Sequence, residues 1–99
     1  MINAKEAKKN TNTKKEEYRQ RAATQLMDIV EKRIIENSNS GFYSCYLVLE
    51  TPNGLKNSEY EEIIINTINT LTGLGYIANY TLRTVTLDKN TYSINIKWE

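Results

Sequence analysis

The chain contains no histidine and one cysteine, Cys45. The commonest general base and metal ligand is therefore missing. Ser-His-Asp and Cys-His arrangements cannot be built within one chain. No internal disulfide can form, which fits a reducing compartment. The carboxylates come as adjacent pairs, Glu16-Glu17 and Glu61-Glu62. Neighbours on a helix point in different directions, so neither pair suits acid–base work. Gly73-Leu74-Gly75 has the look of a phosphate loop, but it ends a helix, where the dipole repels phosphate. What remains is recognition chemistry. Seven tyrosines and one tryptophan share the chain with Arg83 and a lysine cluster at Lys5, Lys8, Lys9, Lys14 and Lys15. Aromatic faces beside cations suit stacking on a base and holding its phosphate. No cofactor is expected, and the lack of histidine and of paired-acid spacing puts an enzyme well behind a binding protein, though the residues alone do not name a function.

These residues need a scaffold, and the pattern supplies one around residues 57–80. Ser58 with Glu61 has capping-box spacing. Glu59, Glu61 and Glu62 suit a positive helix start. Ile64, Ile68 and Leu71 form one apolar stripe. Gly73 and Gly75 can each end the helix in the left-handed region. A strand follows from Tyr76 to Leu87. The turn Asp88-Lys89-Asn90 leads into a last strand from Thr91 to Trp98. A three-residue loop of that kind sets Leu82 opposite Ile96 and Tyr80 opposite Trp98. Upstream, Thr13 and Glu16 predict a helix start, with Ala22, Leu26, Ile29 or Val30, and Arg33 or Ile34 on one side to about Asn37. Asn37-Ser38-Asn39-Ser40-Gly41 ends it. Phe42–Thr51 then reads as a strand, with Tyr43, Cys45, Leu47 and Leu49 on one face. Pro52-Asn53-Gly54 is a turn.

The 99 residues make a single domain. A chain this long buries roughly 65% of its unfolded surface, enough for one modest core. The order helix, strand, helix, strand, strand predicts an α+β fold. It is a two-layer sandwich with a three-stranded, mainly antiparallel sheet and both helices on one face. The last strand fits between the other two. Residues 1–12 form a basic, polar arm that cannot bury enough surface to fold alone. Net charge is +1, with hydrophobic content at 39% and charged content at 25%, an ordinary soluble composition. The first third is basic and the remainder mildly acidic. The start of the chain has no apolar signal region. Its strongest apolar run, Ile63–Ile65, is far short of a membrane span. A cytoplasmic location is expected, with no membrane, DNA or RNA partner.

Several short motifs carry a resemblance over the whole chain. They are Ala4-Lys5-Glu6-Ala7, a basic helix closing on a polar Gly turn, Tyr43-Ser44, Leu74-Gly75-Tyr76 and Ile96-Lys97-Trp98. In these the chain resembles a large group of small proteins of tailed bacteriophages, and is similar to the viral sponge proteins that defeat CBASS defence. That group usually ends in Ile-Ser-Trp, so Lys97 is a departure, as is the Ile63–Ile65 run. The resemblance implies tight binding of a cyclic dinucleotide such as 3′,3′-cyclic GMP-AMP without cleavage. It also implies a homo-oligomer, a dimer or tetramer, with pockets at subunit interfaces, in the host bacterial cytoplasm. On that reading Tyr43, Tyr76, Tyr80 and Trp98 offer stacking faces. Arg83, Lys5, Lys8 and Lys9 meet phosphates, and Asn3 and Thr11 read base edges as the arm closes. The alternative is a small protein-binding inhibitor that meets a host enzyme through an open sheet face.

Overall fold

The computed structural model describes residues 1–85 and 89–99. The order is α1 (Ala4–Asn39), β1 (Ser44–Glu50), α2 (Asn57–Gly73), β2 (Ile77–Val85) and β3 (Asn90–Lys97). The strand order is β1-β3-β2, with both outer strands antiparallel to β3. Outer strands β1 and β2 therefore run parallel to each other, joined across β3 by α2. The expected α+β sandwich is what forms.

One face of the sheet is dry. Cys45 and Leu47 of β1 and Tyr92, Ile94 and Ile96 of β3 pack with Ala22, Leu26 and Val30 of α1 and Tyr60, Ile63, Ile64 and Leu71 of α2. Leu26, Val30, Ile64 and Ile94 are essentially solvent-free. Truncating such a side chain to alanine typically costs about 2–5 kcal/mol. The opposite face carries Ser44, Tyr46 and Val48, with Ile77, Asn79 and Thr81 across β3, all exposed.

Helix α1 corrects two expectations. It begins at Ala4, not Thr13, and Asn3 is its N-cap, its Oδ1 accepting from the Glu6 N–H at 2.9 Å. The arm is thus helical, although residues 1–14 are all exposed. Asn10-Thr11-Asn12-Thr13 are weak helix formers, which is why the sequence reads as a break there. Instead, the hydroxyls of Thr11 and Thr13 donate back to the Ala7 and Lys9 carbonyls, both at 3.0 Å. The molecule is long as a result, 59 × 26 × 19 Å.

Helix α2 starts two residues early, with Lys56 as N-cap in place of Ser58. Glu59, not Glu61, accepts the Lys56 N–H at 2.9 Å. The hairpin register also differs. Leu82 lies opposite Tyr92 and Tyr80 opposite Ile94, with a bulge between Leu82 and Thr84. This alignment keeps Ala78 and Tyr80 over the core beside Ile96 and Ile94. Asn90 belongs to β3, and no non-glycine residue described has a positive φ. The expected strand end at Leu87 and turn residue Asp88 lie outside the described residues. β1 begins at Ser44, after Tyr43, which leaves Tyr43 exposed instead of facing the core.

Both helices end in a Schellman motif. In α2, Gly75 at φ +99° donates to the Thr72 carbonyl and Tyr76 to that of Leu71. A Cβ on Gly73 or on Gly75 would meet nothing within 4 Å, so only the backbone distinguishes them. Gly75→Val should therefore cost more than about 1 kcal/mol, and more than Gly73→Val, in chemical denaturation. Equal costs would mean that the left-handed corner is not at Gly75.

Candidate ligand-binding site

The expected stacking residues divide between two places. Tyr76 and Trp98 meet edge to face at 6.2 Å, and the Trp98 N–H donates to the Tyr43 carbonyl at 3.0 Å. All three lie at the end of the sheet beside the last turns of α1. Tyr76 closes an apolar groove of about 470 Å³ with Met27, Ile34, Ile35 and Leu74. Tyr80 lies further along, tilted on Tyr92 at 6.1 Å. Burial raises its phenol pKa, and the neighbouring Glu61 carboxylate adds to this. Tyr76, Tyr80 and Trp98 are half-buried and serve the core.

The expected cations lie elsewhere. Lys5, Lys8 and Lys9 ride on the exposed first turns of α1. Lys9 and Ile34 are 25 positions apart on one helix, about 37 Å at 1.5 Å per residue. A single chain thus keeps the arm away from Tyr43, Tyr76 and Trp98. Asn3 and Thr11 are engaged as cap and back-bonding hydroxyl. Arg83 Nη1 donates to the Tyr46 hydroxyl at 3.1 Å. Glu50 pairs with Lys89 at 3.4 Å.

One cleft joins stacking, polar and charged groups within a single chain. About 320 Å³ in volume, it lies at the β1 end of the open sheet face, among Asn37, Phe42, Ser44, Tyr46, Asn95 and Lys97. Phe42 is 62% exposed and Tyr46 47% exposed. Phe42 holds its place because it follows Gly41 in the Schellman turn of α1, its N–H donating to the Asn37 carbonyl at 2.9 Å. Asn37 Nδ2 then donates to the Ser44 carbonyl at 2.9 Å, which fixes the cleft wall. Asn95 Nδ2 reaches Asn79 Oδ1 at 3.5 Å along the floor. Phe42 and Asn95 did not stand out in the sequence. The one signal is Lys97, a charged residue set between Ile96 and Trp98 at the end of the last strand.

A second polar cluster was also missed. Glu59 accepts from Lys15 at 3.0 Å, from the Arg19 guanidinium and from the Lys56 N–H. These donors, the backbone N–H first, hold its carboxyl down at about 2. The cluster clamps α1 to the start of α2. Among the described residues, no group of three His, Cys, Asp or Glu can hold a metal ion. No described helix is long and apolar enough to cross a membrane.

No family model matches the chain, and no curated protein or solved structure proves similar to it.

The Glu59 clamp has a pH signature. Its folded pKa lies below the ordinary carboxylate value of 4.5. The stabilisation is complete above that value and fades as pH falls through it towards about 2. Thermal melts of wild type should therefore lose more between pH 5 and pH 2.5 than those of Glu59→Gln, which should melt lower at pH 7. Parallel acid profiles would mean that Glu59 does not couple protonation to folding.

Proposed function

We propose that this protein binds and sequesters a cyclic dinucleotide immune signal, such as 3′,3′-cyclic GMP-AMP, without cleaving it. It would act as a viral immune-evasion protein in the cytoplasm of an infected bacterium, as a homo-oligomer. The observation that carries this reading is the cleft in which Phe42 and Tyr46 offer π-faces beside Lys97 and the amides of Asn37 and Asn95. Bases stack on such faces for roughly 1–3 kcal/mol each. Lysine supplies a point charge for a phosphate, and amides suit base edges. A sponge needs affinity and no turnover. The basic arm fits the same reading when a second copy provides it. Lys5, Lys8 and Lys9 have no ion-pair partner among the described residues, and one chain cannot bring them to its own Tyr43, Tyr76 or Trp98.

A second reading rests on the breadth of the same face. Tyr46, Val48 and Ile77 are exposed there together, as a protein-binding inhibitor of a host enzyme would require.

Isothermal calorimetry with cyclic dinucleotides, followed by chromatography of the mixture, tests the first reading. Wild type should bind tightly and return the ligand unchanged. Phe42→Ala should weaken binding by about tenfold or more, from the loss of one stacking face. Deleting residues 1–12 should abolish binding while leaving the thermal melt near that of wild type, because those residues are exposed. Unchanged affinity in the deletion would remove the arm from the site. Failure of wild type to bind any cyclic dinucleotide would leave the protein-binding reading.

A further inference from the structure

The sheet has two edges, and the fold treats them differently. On β1, Tyr43 accepts from Trp98 and Thr51 donates to Asn90, so the odd-numbered residues between them face β3. By alternation Ser44 and Tyr46 turn their backbone groups outward. Those carbonyls are occupied: Asn37 Nδ2 donates to Ser44 and Arg33 Nη1 to Tyr46, both at 2.9 Å. Two α1 side chains thus guard that edge.

The β2 edge has no such guard. The β3 residues facing away from β1 are Thr91, Ser93, Asn95 and Lys97. The last three pair with Thr81, Asn79 and Ile77. Ala78, Tyr80 and Leu82 therefore point three N–H and three C=O groups outward. No described side chain bonds to any of them. The usual protections are also missing. Residues 77–85 contain no proline and no lysine, and the bulge sits beyond Leu82. Arg83 is turned onto Tyr46. An exposed, regular edge of this kind templates another strand.

We propose that β2 pairs antiparallel with β2 of a second copy about a twofold axis through Tyr80, giving a continuous six-stranded sheet. This register uses Ala78, Tyr80 and Leu82 of both chains, with Ala78 opposite Leu82 of the second copy. A small residue then faces a large one on the helix side, where Leu82 is 45% exposed in the single chain. On the open face Asn79 meets Thr81 of the second copy, two polar residues. The order small, aromatic, large about Tyr80 is its own complement, which favours a second copy over a foreign strand. Isologous pairing also closes the edge on itself. The inference stands on sheet geometry and holds whatever the ligand is.

Charge substitutions on the open face test it. Light scattering at micromolar concentration should give wild type twice the 11.5 kDa chain mass. Asn79→Lys with Thr81→Lys sets like charges across both symmetry-related pairs and should yield monomer. Asn79→Lys with Thr81→Glu sets opposite charges across the same pairs and should restore the dimer. Hydrogen exchange should show the Ala78, Tyr80 and Leu82 amides protected in wild type and fast-exchanging in the double-lysine variant. A monomeric wild type, a double-lysine variant that remains dimeric, or a Lys/Glu variant that does not dimerise would overturn the pairing. None of these readouts depends on ligand, so they stand apart from the calorimetry.

Discussion

The rest of the molecule depends on the insertion of β3 between β1 and β2. Tyr92, Ile94 and Ile96 are fully buried on its helix side, and its backbone bonds to both neighbours. β1 and β2 have no ladder with each other, so the sheet forms only when the last strand arrives. The β1–β3 pairs join residues 41 to 53 positions apart, and contacts that distant are costly to close. Two helices suffice for one side of such a sheet. The other side stays wet, and the two outer strands stay at the edges. The open-face cleft and the unguarded β2 edge both follow from that economy of layers.

The start of α2 fastens this arrangement. Asn57 Oδ1 accepts from Thr51 Oγ1 at 2.7 Å and from the Asn90 N–H at 2.9 Å, while its carbonyl accepts the Tyr92 hydroxyl at 3.3 Å. One residue thereby ties the end of β1 to the start of β3. Two positions on, Glu59 ties the same turn to Lys15 and Arg19 of α1. Gly54 brings the preceding loop against α1, where a Cβ would sit 2.9 Å from the Tyr18 ring. Polar bonds set the geometry here, because buried donors and acceptors are expensive to leave unmade.

The sequence made some of this legible, and physics explains which parts. The α2 stripe through Ile64 and Leu71, the Gly41 and Gly75 turns and the central place of β3 follow from periodicity and from backbone needs that few residues meet. The hairpin register did not, because Tyr, Leu, Ile and Trp on both strands fit several alignments equally well. The helical arm was hidden by Asn10-Thr11-Asn12-Thr13, whose local preference is overruled by helix on either side. Residue type alone points to Tyr76, Tyr80 and Trp98, yet packing claims all three. Nothing in the spacing of Phe42 says that a Schellman turn presents it to solvent.

Perturbed ionisation often marks catalytic sites, and here its causes lie in the scaffold. Among the described residues Glu59 is shifted down, and its backbone and cationic donors account for it. A carboxylate so well satisfied is a weak proton acceptor. Cys45 is shifted the other way by burial, which leaves its thiol a poor nucleophile. Burial likewise raises Tyr60 and Tyr80, keeping their hydroxyls protonated beside the core. The groups the fold does present to solvent are of another kind: Phe42 and Tyr46 rings, the Asn95 amide, Lys97, and the lysines of the arm. Together they can stack, accept, donate and neutralise charge. That chemistry suits holding a ligand, and the proposal of sequestration rests on it.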